Sequence, residues 1–174
     1  VKGLTRDNVI SRLRGEAGTT VKVTYLTPSN EEQELEVTRA QYSTPSVEYQ
    51  LLAGNRGYIK ISAFNNNTPS ELSYAVSQLQ NTGATGLVLD VRNNSGDVIS
   101  AAEQCIDILC GEGVVASAEY KDGTIETLYE SDENQVSIPL VCLVNGSTAS
   151  GAELFAATLR DMNGAQIVGV KTMG

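Results

Sequence analysis

Two short, almost unbroken apolar runs constrain the fold of this chain more than any other feature. They are GLVLDV at residues 86–91 and PLVCLV at residues 139–144. Runs of this length are typical of β-strands that are covered on both faces, as in a parallel sheet. Each run is followed by a polar loop and then by apolar residues at helical spacing. The pattern predicts an α/β domain in which right-handed crossovers join the strands.

The alternation of strand and helix patterns extends over residues 58–174. The remaining strand patterns lie at residues 58–64 and 166–170. Apolar residues at helical spacing lie at residues 68–79, 99–109 and 152–159. Thr68 and Glu71 form a helix-start signal, with Thr68 as the expected N-cap, and the pair Asp122-Gly123 marks a hairpin. We therefore assign residues 58–174 to one layered α/β core.

The amino-terminal part of the chain has a different pattern. Residues 1–39 predict one helix, with Thr5 as its N-cap, and then two strands joined by a turn at residues 27–30. One helix and two strands cannot bury a core alone, so we expect this part to be the remnant of a larger domain or to lean on a neighbour. Residues 40–57 are predicted to be a connector with a short strand at its centre.

The charge of the chain restricts its partners. A net charge of −9 argues against nucleic acid or an anionic membrane as the main partner. No apolar run is long enough to span a bilayer, and the first residues, VKGLTRDN, lack the apolar core of a signal peptide. Because the chain does not begin with methionine, we expect it to be an excised piece of a longer protein.

The cysteines and the absence of histidine argue against a metal site. Cys105, Cys110 and Cys142 are too few and too irregularly spaced for a disulfide framework or a zinc site. Zinc sites also favour histidine, and the chain contains none. We expect the cysteines to be small buried apolar residues, and we expect no metal and no cofactor.

Two polar loops that follow the apolar runs form the candidate site. RNNSGD at residues 92–97 and NGSTAS at residues 145–150 each lead into a helix. Ligands of α/β sheets bind at such strand ends, and the N–H groups of a helix N-terminus suit an anion or an oxyanion. Ser147, Thr148 and Ser150 are candidate nucleophiles, although a serine or threonine before a helix is more often simply its N-cap.

A nucleophilic hydroxyl also needs a base. Without histidine, a Ser-His-Asp triad within this chain is excluded. A desolvated lysine can take the role, because burial lowers its pKa. The lysines are Lys2, Lys22, Lys60, Lys121 and Lys171. Of these, only Lys171 lies at a strand end close to the candidate site in sequence, and lysines are in general solvated surface charges.

Three segments of the chain resemble the carboxyl-terminal processing, or tail-specific, protease family. They are residues 57–97 (GYIKISAF to RNNSGD), 139–161 (PLVCLVNGSTASGAELFAATLRD) and 168–174 (VGVKTMG). The resemblance covers nearly the whole chain. It implies an α/β core of the kind shared with Clp protease and crotonase. Residues 1–39 resemble the last part of the PDZ domain that precedes this core in the family.

The resemblance also implies roles for particular residues. The family's Ser-Ala-Ser-Ala-Ser-Glu segment matches residues 148–153 and implies that Ser150 is the nucleophile. The Asp-Leu-Arg-Asn-Asn-Pro-Gly-Gly segment matches residues 90–97. This second match implies an oxyanion hole made by the N–H groups of Gly96 and Gly151.

Two residues depart from the family pattern. Ser95 stands where the family has proline or glycine, and Asp97 stands where it has glycine. An acid beside an oxyanion hole is unfavourable, so we expect the Asp97 side chain to point away from the hole or the hole to be altered.

The expected base lies beyond the sequence. In the family, a lysine on a Thr-Phe-Gly-Lys segment takes the proton of the serine. Residues 172–174 match the first three positions, so the lysine is expected immediately after Gly174. Lys171 matches a basic position that is not catalytic.

The resemblance therefore implies a serine endopeptidase with a Ser–Lys dyad. Its substrates would be proteins or peptides recognised and cleaved near their C-termini, outside the cytoplasm, by an exported or membrane-anchored protein. The 174-residue piece, without the lysine, is expected to be inactive. A non-catalytic peptide-binding protein with the same fold remains open and is favoured by Asp97. An acyl-CoA enzyme of the crotonase type also remains, although its anionic substrate suits a −9 chain poorly.

Overall fold

The structure is a computed structural model that describes residues 3–40 and 44–174. Lys2, one of the candidate bases, lies outside the described residues. The chain divides into two units, Val1–Thr44 and Pro45–Gly174. No helix in the described ranges is both long enough and apolar enough to cross a membrane.

The first unit is a helix followed by a hairpin, as the sequence predicts. Helix α1 spans Arg6–Leu13, and strands β1 (Thr20–Leu26) and β2 (Glu32–Thr38) pair antiparallel. The Thr5 hydroxyl accepts the Asn8 N–H and caps the helix. No residue of these three elements is buried, so they form no core among themselves.

The second unit contains a five-stranded sheet, three helices and a separate two-stranded hairpin. Its elements are β3 (Val47–Leu52), β4 (Arg56–Ile61), α2 (Thr68–Asn81), β5 (Leu87–Asp90), α3 (Ile99–Leu109), β6 (Gly113–Glu119), β7 (Ile125–Ser131), β8 (Leu140–Val144), α4 (Gly151–Asn163) and β9 (Gln166–Gly169). The strand order is β3-β4-β5-β8-β9, with β3 antiparallel to β4 and the other neighbours parallel. The predicted alternation of strands and helices is confirmed.

The core begins earlier than the sequence predicts. Strand β3 lies inside residues 40–57, the expected connector, and pairs with β4 along its whole length. It is an edge strand whose residues after Val47 are exposed. It therefore lacks the long apolar run by which the inner strands are recognised.

Glu71 has a different role from the predicted capping one. Helix α2 begins at Thr68 itself, with Asn67 as the preceding residue. The Glu71 carboxylate accepts the backbone N–H groups of Ser46 and Val47 at 2.8 and 3.1 Å. It therefore fastens the first residues of β3 to α2.

One face of the sheet carries the core. Because the chain adds β5, β8 and β9 successively on the same side of β4, right-handed crossovers place the helices on a single face. Alternate strand residues are almost fully buried there: Ile59, Ile61, Leu87, Leu89, Leu140 and Cys142. Val88, Val141 and Leu143, between them, are only half-buried. The apolar runs predict a sheet that is covered on both faces, but within this unit only one face of the sheet is covered.

The three cysteines lie in this core. Cys105, Cys110 and Cys142 are buried and form no disulfide. Burial raises the pKa of Cys105 to about 12 and that of Cys110 to about 11. Their thiols therefore stay protonated and act as small apolar groups, as expected.

Candidate active site

The loops that follow β5 and β8 are joined by a pair of asparagines. Asn145 Oδ1 accepts the backbone N–H of Asn93 at 3.0 Å, and Asn145 Nδ2 donates to Asn93 Oδ1 at 2.9 Å. The same Asn145 Oδ1 accepts the Ser147 N–H at 3.1 Å. Neighbouring parallel strands end at the same sheet edge, and these bonds bring the two predicted site loops together there.

Asn94 anchors the first loop from inside the protein. Its side chain is fully buried, and Nδ2 donates to the Ile61 carbonyl at 2.9 Å. Its backbone carbonyl accepts the Ala149 N–H at 3.0 Å, which links the second loop to the first. Asn94 belongs to the matched motif, but the sequence does not reveal this role, because the direction of the Asn94 side chain depends on the tertiary fold.

Thr148 is a structural residue in this geometry. Its side chain is fully buried. The hydroxyl donates to the Val91 carbonyl at 2.9 Å and accepts the Asn145 N–H at 3.0 Å. A hydroxyl held in this way links the two loops and is not available for attack on a substrate.

Ser150 has an unusual backbone at the start of α4. Its φ is 51° and its ψ is −121°, and its side chain is exposed. An ordinary N-cap serine has an extended backbone instead. A positive φ at a non-glycine residue is strained, and such strain is concentrated at functional sites. A strained strand-to-helix turn also presents the nucleophilic serine of α/β-hydrolases. Ser150 therefore occupies the N-cap position of α4 without the backbone conformation of an ordinary N-cap.

Glu153 supports Ser150 and the last residues of the chain together. Its Oε2 accepts the Ser150 N–H and its Oε1 accepts the Gly174 N–H, both at 2.9 Å. Hydrogen bonds from the Thr172 side chain and from these two N–H groups lower the pKa of Glu153. The Ser-x-x-Glu spacing of a capping box is the sequence signal that could have identified this contact.

Gly96 and Gly151 lie in direct contact. A Cβ atom on Gly96 would lie 2.4 Å from the Gly151 nitrogen and 2.4 Å from the Ala149 oxygen. A Cβ atom on Gly151 would lie 2.7 Å from the Gly96 oxygen. Gly96 also has a φ of 88°, a conformation that favours glycine. The two predicted oxyanion-hole residues are thus brought together, and neither position has room for a side chain.

Only one of these two glycines has an N–H that is free in the structure. The Gly96 N–H donates to Asn94 Oδ1 at 2.8 Å in a buried hydrogen bond. This differs from the expected oxyanion hole, in which the Gly96 N–H faces the substrate. Among residues 3–40 and 44–174, the Gly151 N–H has no acceptor, because it belongs to the first turn of α4.

Asp97 is engaged with the other residue that departs from the family pattern. Its Oδ1 accepts the Ser95 hydroxyl at 2.9 Å, and both side chains are exposed. The carboxylate accepts no hydrogen bond from Gly96 or Gly151. The two departures from the family pattern thus form a local pair on the loop surface.

A polar cleft of about 320 Å³ adjoins the two loops and contains a buried acid. Asp90 accepts hydrogen bonds from the Tyr58 hydroxyl at 2.6 Å and from Arg92 Nε at 2.9 Å. Burial alone would raise the pKa of Asp90, but the bonds from Arg92 and Tyr58 outweigh it and lower the pKa to about 2. Lys60 also lines this cleft. Asp90 is therefore ionised at neutral pH and orders the end of β5.

No hydrogen bond joins Ser150 to Lys60, Lys121 or Lys171, the lysines of its own unit. Lys171 is exposed. No cluster of three or more histidine, cysteine or acidic side chains in the described part of the chain could hold a metal ion.

The segment after Lys171 is held at the site. The Met173 N–H donates to the Thr148 carbonyl at 3.0 Å, and the Gly174 N–H donates to Glu153. Residues 172–174, which match the family's Thr-Phe-Gly, thus run beside the start of α4.

The chain is similar to known proteins. The model of peptidase family S41 matches residues 55–174. The carboxy-terminal processing protease CtpA of Bacillus subtilis is 31% identical in an alignment 175 residues long that covers 100% of this chain and 38% of that protein. A carboxyl-terminal-processing protease of Synechocystis sp. is 35% identical in an alignment 176 residues long that covers 98% of this chain and 41% of that protein.

The solved structure of a photosystem II D1 C-terminal processing protease superposes with a TM-score of 0.68 at 32% identity. The match covers 100% of this chain and 49% of that one. This chain therefore spans less than half the length of these relatives. The family model nevertheless matches well over half of the chain, including both loops of the candidate site, and the chain belongs to peptidase family S41.

Proposed function

We propose that this chain is part of a serine endopeptidase of the carboxyl-terminal processing type, with Ser150 as its nucleophile. The observation that carries the proposal is the strained backbone of Ser150 at the exposed junction between β8 and α4. One neighbouring candidate supports it, because the Thr148 hydroxyl is buried and bonded to the Val91 carbonyl. Membership of family S41 supports peptide-bond hydrolysis as the reaction.

In the proposed reaction, Ser150 Oγ attacks the carbonyl carbon of the scissile peptide bond while its proton passes to a base. The Gly151 N–H donates to the oxyanion of the tetrahedral intermediate, a contribution of about 3–4 kcal/mol to transition-state stabilisation. The intermediate expels the amine, which receives the proton from the base, and an ester remains on Ser150. Water, deprotonated by the same base, hydrolyses the ester and restores the serine.

We assign the base to a lysine that follows Gly174. This assignment rests on the family resemblance and on the position of residues 172–174. Because Met173 and Gly174 are bonded to Thr148 and Glu153, the Cα atom of the next residue lies about 3.8 Å from the Gly174 Cα, beside the start of α4. The 174-residue chain alone is then expected to be inactive.

The second oxyanion donor would be Gly96. Its N–H reaches a substrate only if the bond to Asn94 Oδ1 opens or is shared. A small rotation of the peptide between Ser95 and Gly96 would release it, and glycine tolerates this rotation better than any other residue. The hole is thus proposed to be completed when substrate binds.

The proposed substrates are proteins or peptides that are recognised and cleaved near their C-termini. We place the reaction outside the cytoplasm, in an exported or membrane-anchored protein. The substrate assignment rests on the family resemblance and on the relatives, which are C-terminal processing proteases. The location rests on the family resemblance alone.

A non-catalytic peptide-binding protein is the second candidate. The specific observation in its favour is the occupied Gly96 N–H, since an oxyanion hole with one free donor is weaker. The Ser95–Asp97 pair also alters the loop relative to the family. Covalent reactivity of Ser150 separates the two candidates.

The test is labelling with a serine-directed acylating probe, followed by peptide mapping. A chain that continues past Gly174 with its native residues should be labelled at Ser150, and Ser150→Ala should abolish the labelling. Ser147→Ala is the matched control, because it removes an exposed serine of the same loop and should leave the labelling intact. Labelling that persists in Ser150→Ala would contradict the proposal.

The base assignment has its own test. The 174-residue chain should turn over no peptide, whereas the longer chain should, and replacing the lysine after Gly174 with alanine should remove that turnover. Peptide turnover by the 174-residue chain that disappears in Lys171→Ala would show that the base has been misplaced.

A further inference from the structure

A buried carboxylic acid in α3 is not used by the proposed reaction. Only 7% of Glu103 is exposed. Its Oε1 atom is sealed from solvent and has no hydrogen-bond partner within the described residues. A buried carboxylate oxygen without a partner is strongly unfavourable when it is charged. Such a group is normally paired, so the arrangement at Glu103 requires an explanation.

The surroundings of Glu103 offer no compensating positive charge. A cavity of about 200 Å³ is lined by Ser100, Glu103, Gln104, Asp107, Tyr129 and Glu130. All of them come from α3 or from β7, and the charged neighbours, Asp107 and Glu130, are both acids. Helices α2 and α4, which also pack on α3, contribute no titratable side chain from the described ranges. Charging Glu103 would therefore place a third negative charge in this space.

Tyr129 connects Glu103 to the β6–β7 hairpin. Its side chain lines the same cavity as the Glu103 carboxyl. Burial raises the pKa of Glu103 to about 7, and the neighbouring Tyr129 hydroxyl opposes this only in part. The protonation state of a side chain under the hairpin thus changes close to neutral pH.

Two hydrogen bonds attach the end of the hairpin to α3, and both lie at its base. The Ser131 hydroxyl donates to the Cys110 carbonyl at 3.0 Å, and the Asp132 N–H donates to Asp107 Oδ1 at 2.8 Å. Beyond this base, towards the turn, the side chains of the hairpin are exposed, and the exposed fraction of Ile125 is 68%. The Glu103–Tyr129 contact is therefore the outermost of these three attachments.

We propose that neutral Glu103 latches the β6–β7 hairpin to α3 and that loss of its proton releases the hairpin. A neutral carboxyl tolerates burial of its Oε1 atom without a partner, and Tyr129 lines the same cavity from the hairpin side. A carboxylate places uncompensated charge on this Oε1 atom. It regains hydration only when the hairpin moves away. This latch does not depend on the proposed peptidase activity.

The direction of the pH effect follows from the two states of the hairpin. In the closed state the pKa of Glu103 is about 7, and in an open, hydrated state it returns towards 4.5. The closed state is therefore fully favoured below about pH 4.5. Its advantage is lost progressively up to about pH 7, and above that pH the opening equilibrium no longer changes with Glu103.

Hydrogen exchange of the amides in residues 113–131 measures this opening. The exchange rate of the wild-type chain is divided by that of Glu103→Gln at the same pH, so that the pH dependence of the exchange chemistry cancels. We expect this ratio to rise about tenfold or more between pH 5 and pH 8. Glu119→Gln is the matched control, because it removes an exposed acid of the same hairpin that does not line this cavity and should retain the wild-type pH dependence. A ratio that stays flat with pH overturns the latch.

A second measurement decides the question even if Glu103→Gln does not fold. The carboxyl carbon of Glu103 in the wild-type chain can be titrated by NMR. A midpoint near pH 7, with shifts of the residue 113–131 amides at the same midpoint, is the expected result. A midpoint near 4.5, the ordinary value for glutamate, overturns the proposal.

Discussion

Glu153 Oε2 accepts the backbone N–H of Ser150 at 2.9 Å, three residues before it in the chain. The other oxygen of the same carboxylate accepts the Gly174 N–H. One acid thus stabilises the strained serine and also fixes the segment from which the proposed base would follow. Because its pKa is lowered, this contact is present at neutral pH and is lost as the pH falls through the lowered pKa, below 4.5.

Replacement of Glu153 should misplace the nucleophile. In a chain that continues past Gly174, Glu153→Ala is expected to lower kcat for a peptide substrate by roughly 100-fold, because displacements near 1 Å have effects of this size. Asp161→Ala, an exposed acid of the same helix, is the control and should leave kcat unchanged. Equal kcat values for the two variants would show that Glu153 does not position Ser150.

The contact between Gly96 and Gly151 predicts a large loss of stability in Gly96→Ala. Gly83 has nearly the same φ, 87° against 88°, but a Cβ there would meet no atom within 4 Å. Gly83→Ala therefore reports the backbone strain alone, about 1 kcal/mol. Gly96→Ala adds the clash with Gly151 and should lower the free energy of unfolding by at least about 2 kcal/mol more. Urea unfolding of both variants measures the difference, and equal losses would argue against the close contact.

Asp90 should make the stability of the fold depend on acid pH. Its pKa of about 2 lies below the ordinary 3.8, so its stabilising contribution is complete above pH 3.8 and is lost as the pH falls through 2. We expect Asp90→Asn to lower the free energy of unfolding at pH 7 by about 1–2 kcal/mol, allowing for the half-exposed Arg92. The difference from wild type should shrink towards pH 2. A difference that is the same at pH 7 and pH 2 would exclude ionised Asp90 as its cause.

Thr148 should matter for stability and not for covalent reactivity. Thr148→Val leaves the Asn145 N–H without its acceptor and removes one of the two donors to the Val91 carbonyl, so it should lower the free energy of unfolding by about 1–2 kcal/mol. Thr127→Val, at an exposed strand position, is the control and should change it little. The folded Thr148→Val variant of the longer chain should still be labelled at Ser150. Loss of labelling at full stability would reopen Thr148 as the nucleophile.

Regular elements with strong local patterns were predictable, and features that depend on distant partners were not. The inner strands and all four helices appear where the periodicity indicates them, within a few residues. The short strand predicted at the centre of residues 40–57 is confirmed as β3, but its place in the main sheet was not predicted, because an edge strand with exposed side chains carries little apolar signal. Glu71 matched a capping pattern, but its carboxylate binds the start of β3, which lies more than twenty residues earlier.

At the candidate site, the sequence by itself determined which loops follow the buried strands and that residues 148–153 lead into a helix. Local chain physics is sufficient for this, because strand and helix periods and glycine positions are properties of neighbouring residues. Only the tertiary structure decided which hydroxyl is exposed, that Asn94 takes the Gly96 N–H and that Glu153 reaches Gly174. These contacts join residues from separate loops, and they depend on side-chain directions that are set when β5, β8 and α4 pack together.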